Sequence, residues 1–408
     1  MSKTKEKKPK WKKIVLAIVL TILFLIIALI STFAIVWRNE ISTLASIKLV
    51  RTRNDAHLDG DVYMMEVNGG FYLDEFVEQG GVKSDSELID FVTSKITKGL
   101  IKMELSESEI ACSSFTAQTE DGDNVFARNY DFSKTNTCIV FTEKNKGRHA
   151  TVSTVDLQFL DIDVNDGNLS LMEKITCLAA PYAPLDGMND VGVSCGIYMT
   201  YQGAETVATN QNTDKPDFTS TTLLRLILDY ADNVEEAVEI AQKYDLHDSA
   251  KTSYHYMVAD ATGKSAILEW VAGTDSIDND GSKRELVVTY NDNDSHIGEN
   301  EANSNYQWIT NFIIQPEYYE NDEDMKGRDR YDKIYEELNS RNGIVKDEKD
   351  AMDILRMVGR RTWNNDDGNG CTVHSVVYNL TDKTVLWVSN ENFDDRTAIF
   401  EFGIKSKI

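Results

Sequence analysis

The chain has 408 residues, 41% hydrophobic and 27% charged, with 42 Lys and Arg against 67 Asp and Glu for a formal net charge of −25. That is enough chain for one large domain or two smaller ones, with ordinary globular composition. A balance so acidic argues against nucleic acid as a partner, and against electrostatic capture of anionic substrates except at local basic spots.

The N-terminus runs the other way, because residues 1–13 hold seven Lys against one Glu. From Ile14 to Trp37 there follow 24 residues without a charge. As a helix they would span about 36 Å, enough for a bilayer hydrocarbon core of about 30 Å. Trp11 and Trp37 stand near the two ends, where interfacial aromatics are expected. A cleaved signal peptide fits less well, since the apolar run exceeds a usual h-region and Ser31-Thr32-Phe33-Ala34 is a poor cleavage site. The sequence therefore predicts a cytoplasmic tail (1–13), a single-pass cell-membrane anchor (14–37) and an extracellular remainder.

Residues 38–60 are polar and predict a membrane-proximal stalk. Asp61–Val67 with Gly69-Gly70 predicts a strand and turn, and Ser84-Asp85-Ser86-Glu87 opens a helix with an apolar stripe of Leu88, Phe91, Val92, Ile96 and Leu100. Residues 113–119 and 124–130 predict two strands of a hairpin, with Asp121-Gly122-Asp123 as turn chemistry. Cys138–Phe141 is a further strand. Asp161–Gly167 has some features of a calcium loop, but its Gly is one place late and Met172 stands where a Glu would be needed, so it predicts an Asx-rich turn. Asp186–Gly196 is a turn feeding a strand. Thr221–Tyr230 and Val234–Tyr244 are amphipathic helices separated by Ala231-Asp232-Asn233. Tyr254–Asp260 and Ser265–Trp270 form a second hairpin, in which His255 reads as a packed sheet residue. A helix opens at Gly327-Arg328, another covers Asp347–Val358, and Thr372–Tyr378 with Thr384–Val388 close the chain as a β-pair. Helices interleaved with hairpins, not strict βα alternation, predict antiparallel sheets covered by helices.

Five cysteines are present: Cys112, Cys138, Cys177, Cys195 and Cys371. An odd number outside the membrane predicts one free thiol and at most two disulfides. No Cys or His spacing predicts a metal site or cofactor; His374 follows Cys371 by three residues without a second pair. No cysteine precedes Cys112, so a cut before it would leave packing alone to hold the pieces together. The first hairpin can bring Arg128 and Asp131 to Cys112. Two readings stand on that spacing: an ordinary hairpin with a buried Cys and an ion pair, or a thiol activated by a neighbouring cation.

The run Cys112-Ser113-Ser114-Phe115, Asp121-Gly122, then Phe126-Ala127-Arg128-Asn129-Tyr130-Asp131 resembles the start of mature choloylglycine hydrolase family enzymes: bile salt hydrolases, penicillin V acylases and, more distantly, acid ceramidase. The likeness extends over most of 112–390. Asp186-Gly187-Met188-Asn189 resembles the family's D-G-M-N-E segment, His255…Glu269 its H-W-x-x-x-D-x-x-G-K-S-x-x-x-E hairpin, Thr310-Asn311 its T-N, and Arg328-Asp329-Arg330-Tyr331 its S-R-F element. The resemblance implies an α+β fold, the four-layer αββα sandwich of N-terminal nucleophile (Ntn) hydrolases, here preceded by a transmembrane helix. It implies hydrolysis of C–N bonds in linear amides other than peptides, without a cofactor. Cys112 would be the nucleophile, with Arg128, Asp131, Asn311 and Arg330 as its site. Where bile salt hydrolases place a site Asn this chain has Met199, beside Tyr198, and penicillin V acylases carry Tyr. Met199 and Tyr198 therefore mark a substrate or oxyanion position whose donor is left open, and a bile-acid substrate does not follow.

In an Ntn enzyme the base is the nucleophile's own α-amine, whose reference pKa is about 7.7–8.0. An amine locked in the Ala111–Cys112 peptide bond cannot serve, so residues 38–111 would include a propeptide-like segment released by a cut before Cys112. Asp131 would hold the amine, Arg128 would favour the thiolate, and Asn311 with a group near Met199 would bind the oxyanion. The expected partner is a small N-acyl amide with a lipophilic acyl group, alongside the membrane; self-association is left open. An acyltransferase and an inactive binding homologue are the rival readings.

Overall fold

The computed structural model describes residues 10–54, 59–96, 99, 111–163, 167–203, 205–292, 305–363 and 370–404. The three central residues of the Asx-rich turn (164–166), Leu100 and the stretch 101–110 before Ala111 lie outside them, as do residues 1–9 of the basic tail.

Two sheets form the centre. One has nine strands, in the order Lys48–Arg51, Val62–Val67, Thr137–Thr142, Thr151–Asp156, Asp186–Asn189, Ser194–Thr200, Ser253–Ala259, Ser265–Val271 and Glu285–Tyr290. The other has seven: Trp308–Ile309, Ala111–Thr119, Asn124–Phe132, Cys371–Asn379, Thr384–Ser389 and Ile399–Gly403, with Ile344–Val345 also beside Ala111–Thr119. The sheets face one another where Ala111–Thr119 meets Ser194–Thr200. Helices Ser220–Tyr230 and Val234–Lys243 cover the first sheet, and Arg328–Ser340 and Glu348–Met357 the second. These are the four layers of an αββα sandwich. Covered on both faces, central strands such as Thr137–Thr142 and Cys371–Asn379 are buried along their whole length, so they do not show the polar alternation of a one-sided sheet.

The first hairpin is longer than its pattern predicts. Its strands run Ala111–Thr119 and Asn124–Phe132, turning through Gly122 at φ +94°. The added residues put Cys112 into the ladder opposite Tyr130, with Ala111 opposite Asp131.

Two expectations are corrected. Residues 38–51 are not a stalk: Arg38–Ser46 is a helix lying on Val62–Val67, and Lys48–Arg51 is the edge strand of the large sheet. Ser46 Oγ and Thr43 Oγ1 accept the Glu66 and Asn68 amides at 2.9 Å each, which ties this polar stretch down. There are also no disulfides, because all five thiols are free and separately buried.

Before these elements, Lys10–Val36 is one helix, and its Trp11–Val36 portion of 26 residues is long and apolar enough to cross a membrane, with none of that surface buried by the protein. The described residues between this helix and Cys112 are built into the fold. Val62–Val67 pairs in parallel with Thr137–Thr142 over six residues. The Asp217 amide donates to Gly80 O at 2.9 Å, and the rings of Phe76, Phe91 and Tyr182 cluster with centroids 5.3–6.0 Å apart. Helix Asp85–Ile96, hereafter the upstream helix, buries the predicted Leu88, Phe91, Val92 and Ile96.

Candidate active site

Cys112 is fully buried, and its Sγ accepts a hydrogen bond from Arg128 Nη2 at 3.3 Å. Arg128 lies on the adjacent strand at a register that aims it across the gap between the sheets. There its guanidinium donates to Leu185 O at 2.5 Å, to Ile197 O at 2.6 Å and to the Asp186 carboxylate. The Tyr198 and Tyr130 rings flank it at 5.1 and 5.7 Å. Burial opposes the cation, but the thiol and Asp186 outweigh it and raise the Arg128 pKa further. Gly196 leaves the room for this: a Cβ there would come within 2.6 Å of Tyr198 OH and 3.2 Å of Arg128 Cδ.

The main chain of Cys112 is held from the other side. Its amide donates to Asn311 Oδ1 at 3.1 Å, and its carbonyl accepts from Arg330 Nη1 at 3.1 Å. Arg330 reaches in from the first turn of its helix, just after Gly327 at φ +79°, and donates to Asn311 Oδ1 and to Asp131 Oδ2, both at 2.8 Å. Asp131 Oδ1 accepts from Thr372 Oγ1 at 2.7 Å. Burial pushes the Asp131 pKa up, against the pull of Arg330 and Thr372. The structure thus brings Cys112, Arg128, Asp131, Asn311 and Arg330 into one connected group. In this uncut chain it is Asn311, not Asp131, that meets the Cys112 nitrogen.

The thiol itself differs from expectation. Burial raises its pKa, Arg128 and Arg330 lower it, Asp131 raises it, and burial wins. The low-dielectric surroundings penalise a thiolate more than the two guanidiniums favour it.

Met199 and Tyr198, where the sequence leaves the donor open, are both engaged with other groups in the structure. A thioether carries no polar hydrogen, and the main-chain carbonyl of Met199 is an acceptor, taking Asn311 Nδ2 at 2.9 Å. Tyr198 directs its hydroxyl to Ser114 Oγ at 2.5 Å. Their role in the structure is to orient Asn311 and Arg128.

Sequence reading missed Asp186. It receives Arg128, His374 Nε2 at 2.8 Å and Tyr378 OH at 2.6 Å, and so rivets one sheet to the other. Burial works against its charge, but His374 and Arg128 hold its pKa well below the usual carboxylate range. The available signal was a carboxylate inside a strand with buried neighbours, which needs a partner. His255 is a sheet residue, as predicted, with a positioning task. Its Nδ1 lies 3.0 Å from Glu269 Oε1 and its Nε2 2.9 Å from Thr310 O, next to Asn311. Glu269 also accepts from the Ile314 amide at 2.9 Å and Gln315 Nε2 at 2.8 Å. Among the described residues no cluster of His, Cys, Asp and Glu is arranged to hold a metal.

A buried thiol beside a fixed cation, with donors on its main-chain carbonyl and an amide side chain at its nitrogen, is equipped for acyl transfer at sulfur. Residues 112–280 match the family of linear amide C-N hydrolases, choloylglycine hydrolase family. No curated protein matches the chain. Among solved structures, a variant of conjugated bile acid hydrolase from Clostridium perfringens is similar at 14% identity, covering 73% of this chain and 94% of that one, with a TM-score of 0.46. Penicillin V acylase from Agrobacterium tumefaciens follows at 16% identity, 72% and 86% coverage and a TM-score of 0.43. The N-acylethanolamine-hydrolyzing acid amidase ortholog of Caenorhabditis elegans gives 16%, 66% and 93%, and 0.35. The matched region starts at the buried nucleophile candidate itself, so residues 112–280 are similar to the choloylglycine hydrolase family of linear amide C-N hydrolases, and the two facing sheets with helices outside them form the αββα layers of an Ntn-hydrolase fold.

Proposed function

We propose that the protein is a membrane-anchored cysteine Ntn hydrolase that cleaves the linear amide bond of a lipophilic N-acyl amide, after a cut between Ala111 and Cys112, with its catalytic domain outside the cell. The observation that carries this reading is the grip on Cys112 from both sides: Arg128 on its sulfur at 3.3 Å, Asn311 on its nitrogen at 3.1 Å and Arg330 on its carbonyl at 3.1 Å.

Maturation uses the same sulfur. Cys112 Sγ attacks the Ala111 carbonyl, the C–N bond breaks, and the acyl group moves to sulfur as the nitrogen takes the thiol proton. Water then hydrolyses the thioester, leaving Ala111 as a carboxylate and Cys112 with a free α-amine. That amine, of reference pKa about 7.7–8.0, takes the Sγ proton at neutral pH. The thiolate adds to the substrate carbonyl, with Asn311 Nδ2 turning from Met199 O to the oxyanion. The ammonium protonates the departing nitrogen and a thioester remains. The amine next removes a proton from water, the hydroxide adds, and the carboxylic acid leaves as Sγ regains its proton. Asp131 and Arg330 keep the Cys112 backbone in place throughout.

N-terminal sequencing of the purified protein tests maturation: a species beginning at Cys112 is expected, and a fully active chain that stays intact defeats the reading. A panel of N-acyl amides tests the chemistry, with Cys112→Ala as the inactive control.

A further inference from the structure

An apolar cleft opens beside residues whose main chain holds Arg128. It is a narrow cleft of about 80 Å³. Leu185 and Ile197 form its inner end, and Tyr254 one side. The carbonyls of Leu185 and Ile197 are the ones that hold Arg128 against Cys112. Tyr254 lies opposite Met199, whose carbonyl holds Asn311. The cleft thus ends at the cradle of the reacting sulfur. Its opposite wall is Leu88, Ile89 and Val92 of the upstream helix, which precede the proposed cut.

We propose that this cleft takes the hydrocarbon part of the acyl group, and that the upstream helix sets the acyl length accepted. The inference rests on the hydrolase reading and assigns a substrate class to its site. The occupant follows from position and chemistry: an apolar trough that ends at the residues holding Arg128 suits the hydrocarbon on the acyl side of the scissile bond, since apolar surface is favourably removed from water. The helix is fixed well enough to act as a gauge. Asp85 in its first turn accepts the Ala250 amide at 2.9 Å. Ala250 and Lys251 both hold left-handed backbone, at φ +55° and +53°, to present that amide. Lys83, just before the helix, lies 3.9 Å from Asp217. The fragment upstream of the cut is then a working part of the enzyme.

The test compares kcat/KM for N-dodecanoyl and N-butanoyl amides of one amine, using the full chain and its Ile89→Trp and Ile89→Ala variants. Calorimetry with sodium dodecanoate on the Cys112→Ala protein, with and without Ile89→Trp, adds a readout that needs no turnover. Ile89→Trp is expected to lower the dodecanoyl-to-butanoyl ratio at least tenfold and to weaken dodecanoate binding by a similar factor; Ile89→Ala is expected to shift preference toward longer chains. Ratios and affinity within twofold of the parent in both variants overturn the cleft assignment while leaving the hydrolase reading standing. Weakened dodecanoate binding with no hydrolysis of any amide supports the cleft and sinks the hydrolase reading. If Ile89→Trp fails to give a cooperative thermal transition, Ile89→Ala decides alone, and an unshifted preference there overturns the proposal.

Discussion

The nest around Cys112 and the cleft next to it share a wall but are built on opposite principles. The nest is held by directional contacts: Arg128 alone meets a sulfur, two carbonyls and a carboxylate through its two terminal nitrogens. The cleft is lined mainly by side chains that make no directional contact. A wired site fixes one geometry, because each misplaced donor leaves a buried polar group unpaired. An apolar wall sorts by size and tolerates variety. Chemistry is therefore expected to be uniform across substrates and selectivity to be adjustable, with the two separable by mutation.

Cys112→Ala should have the largest effect. Turnover and the cut at Ala111 should both vanish for every acyl length, while stability changes by no more than about 1 kcal/mol; residual turnover by a purified, verified variant would break the comparison at its root. Asp186→Asn comes next. It leaves the buried Arg128 without its counter-charge, so urea unfolding should show a loss of about 3–5 kcal/mol. Activity should fall at least tenfold by the same factor on short and long acyl chains. Glu269→Gln should act more mildly. Loosening His255 should cost about 1–3 kcal/mol and lower kcat with little change in KM, since Thr310 and Asn311 lie on the chemistry side; a KM effect confined to long chains would blur the distinction drawn above.

The smallest effect concerns Asp248, behind the cleft wall, which accepts Ser220 Oγ at 3.0 Å and the Thr209 amide at 2.8 Å. Burial pushes its pKa up to about 7, against about 3.9 in an unfolded chain. Between those values the folded protein binds the extra proton, so this group's contribution to stability falls as pH rises from about 4 to about 7. Asp248→Asn should flatten the loss of melting temperature across that window without changing the acyl preference.

Much of the nest's local half was readable in advance. The hairpin that joins Cys112 to Arg128 and Asp131 is set by turn chemistry and strand pattern within twenty residues. Its distant half was not: Asn311 and Arg330 come from a short strand's exit and a helix start that no periodicity links to Cys112, and only resemblance to a family singled them out. Asp186 carries no such local mark, because what it holds lies on the other sheet. Residues 38–51 misled through composition alone: polar side chains suggested a stalk, yet Ser46 and Thr43 hydroxyls are what fasten the stretch to the body. The cleft was invisible for the same kind of reason, since its two walls stand about a hundred residues apart.

The parallel pairing of Val62–Val67 with Thr137–Thr142 joins strands on either side of the proposed scission. If the chain is cut there as proposed, the grip of the part that begins at Cys112 on the part before it becomes a property of folding. Reducing agents should leave that grip untouched, since no sulfur bridge carries it. On the proposed reading, whatever opens the sheet should release the part that begins at Cys112 and leave the N-terminal helix behind.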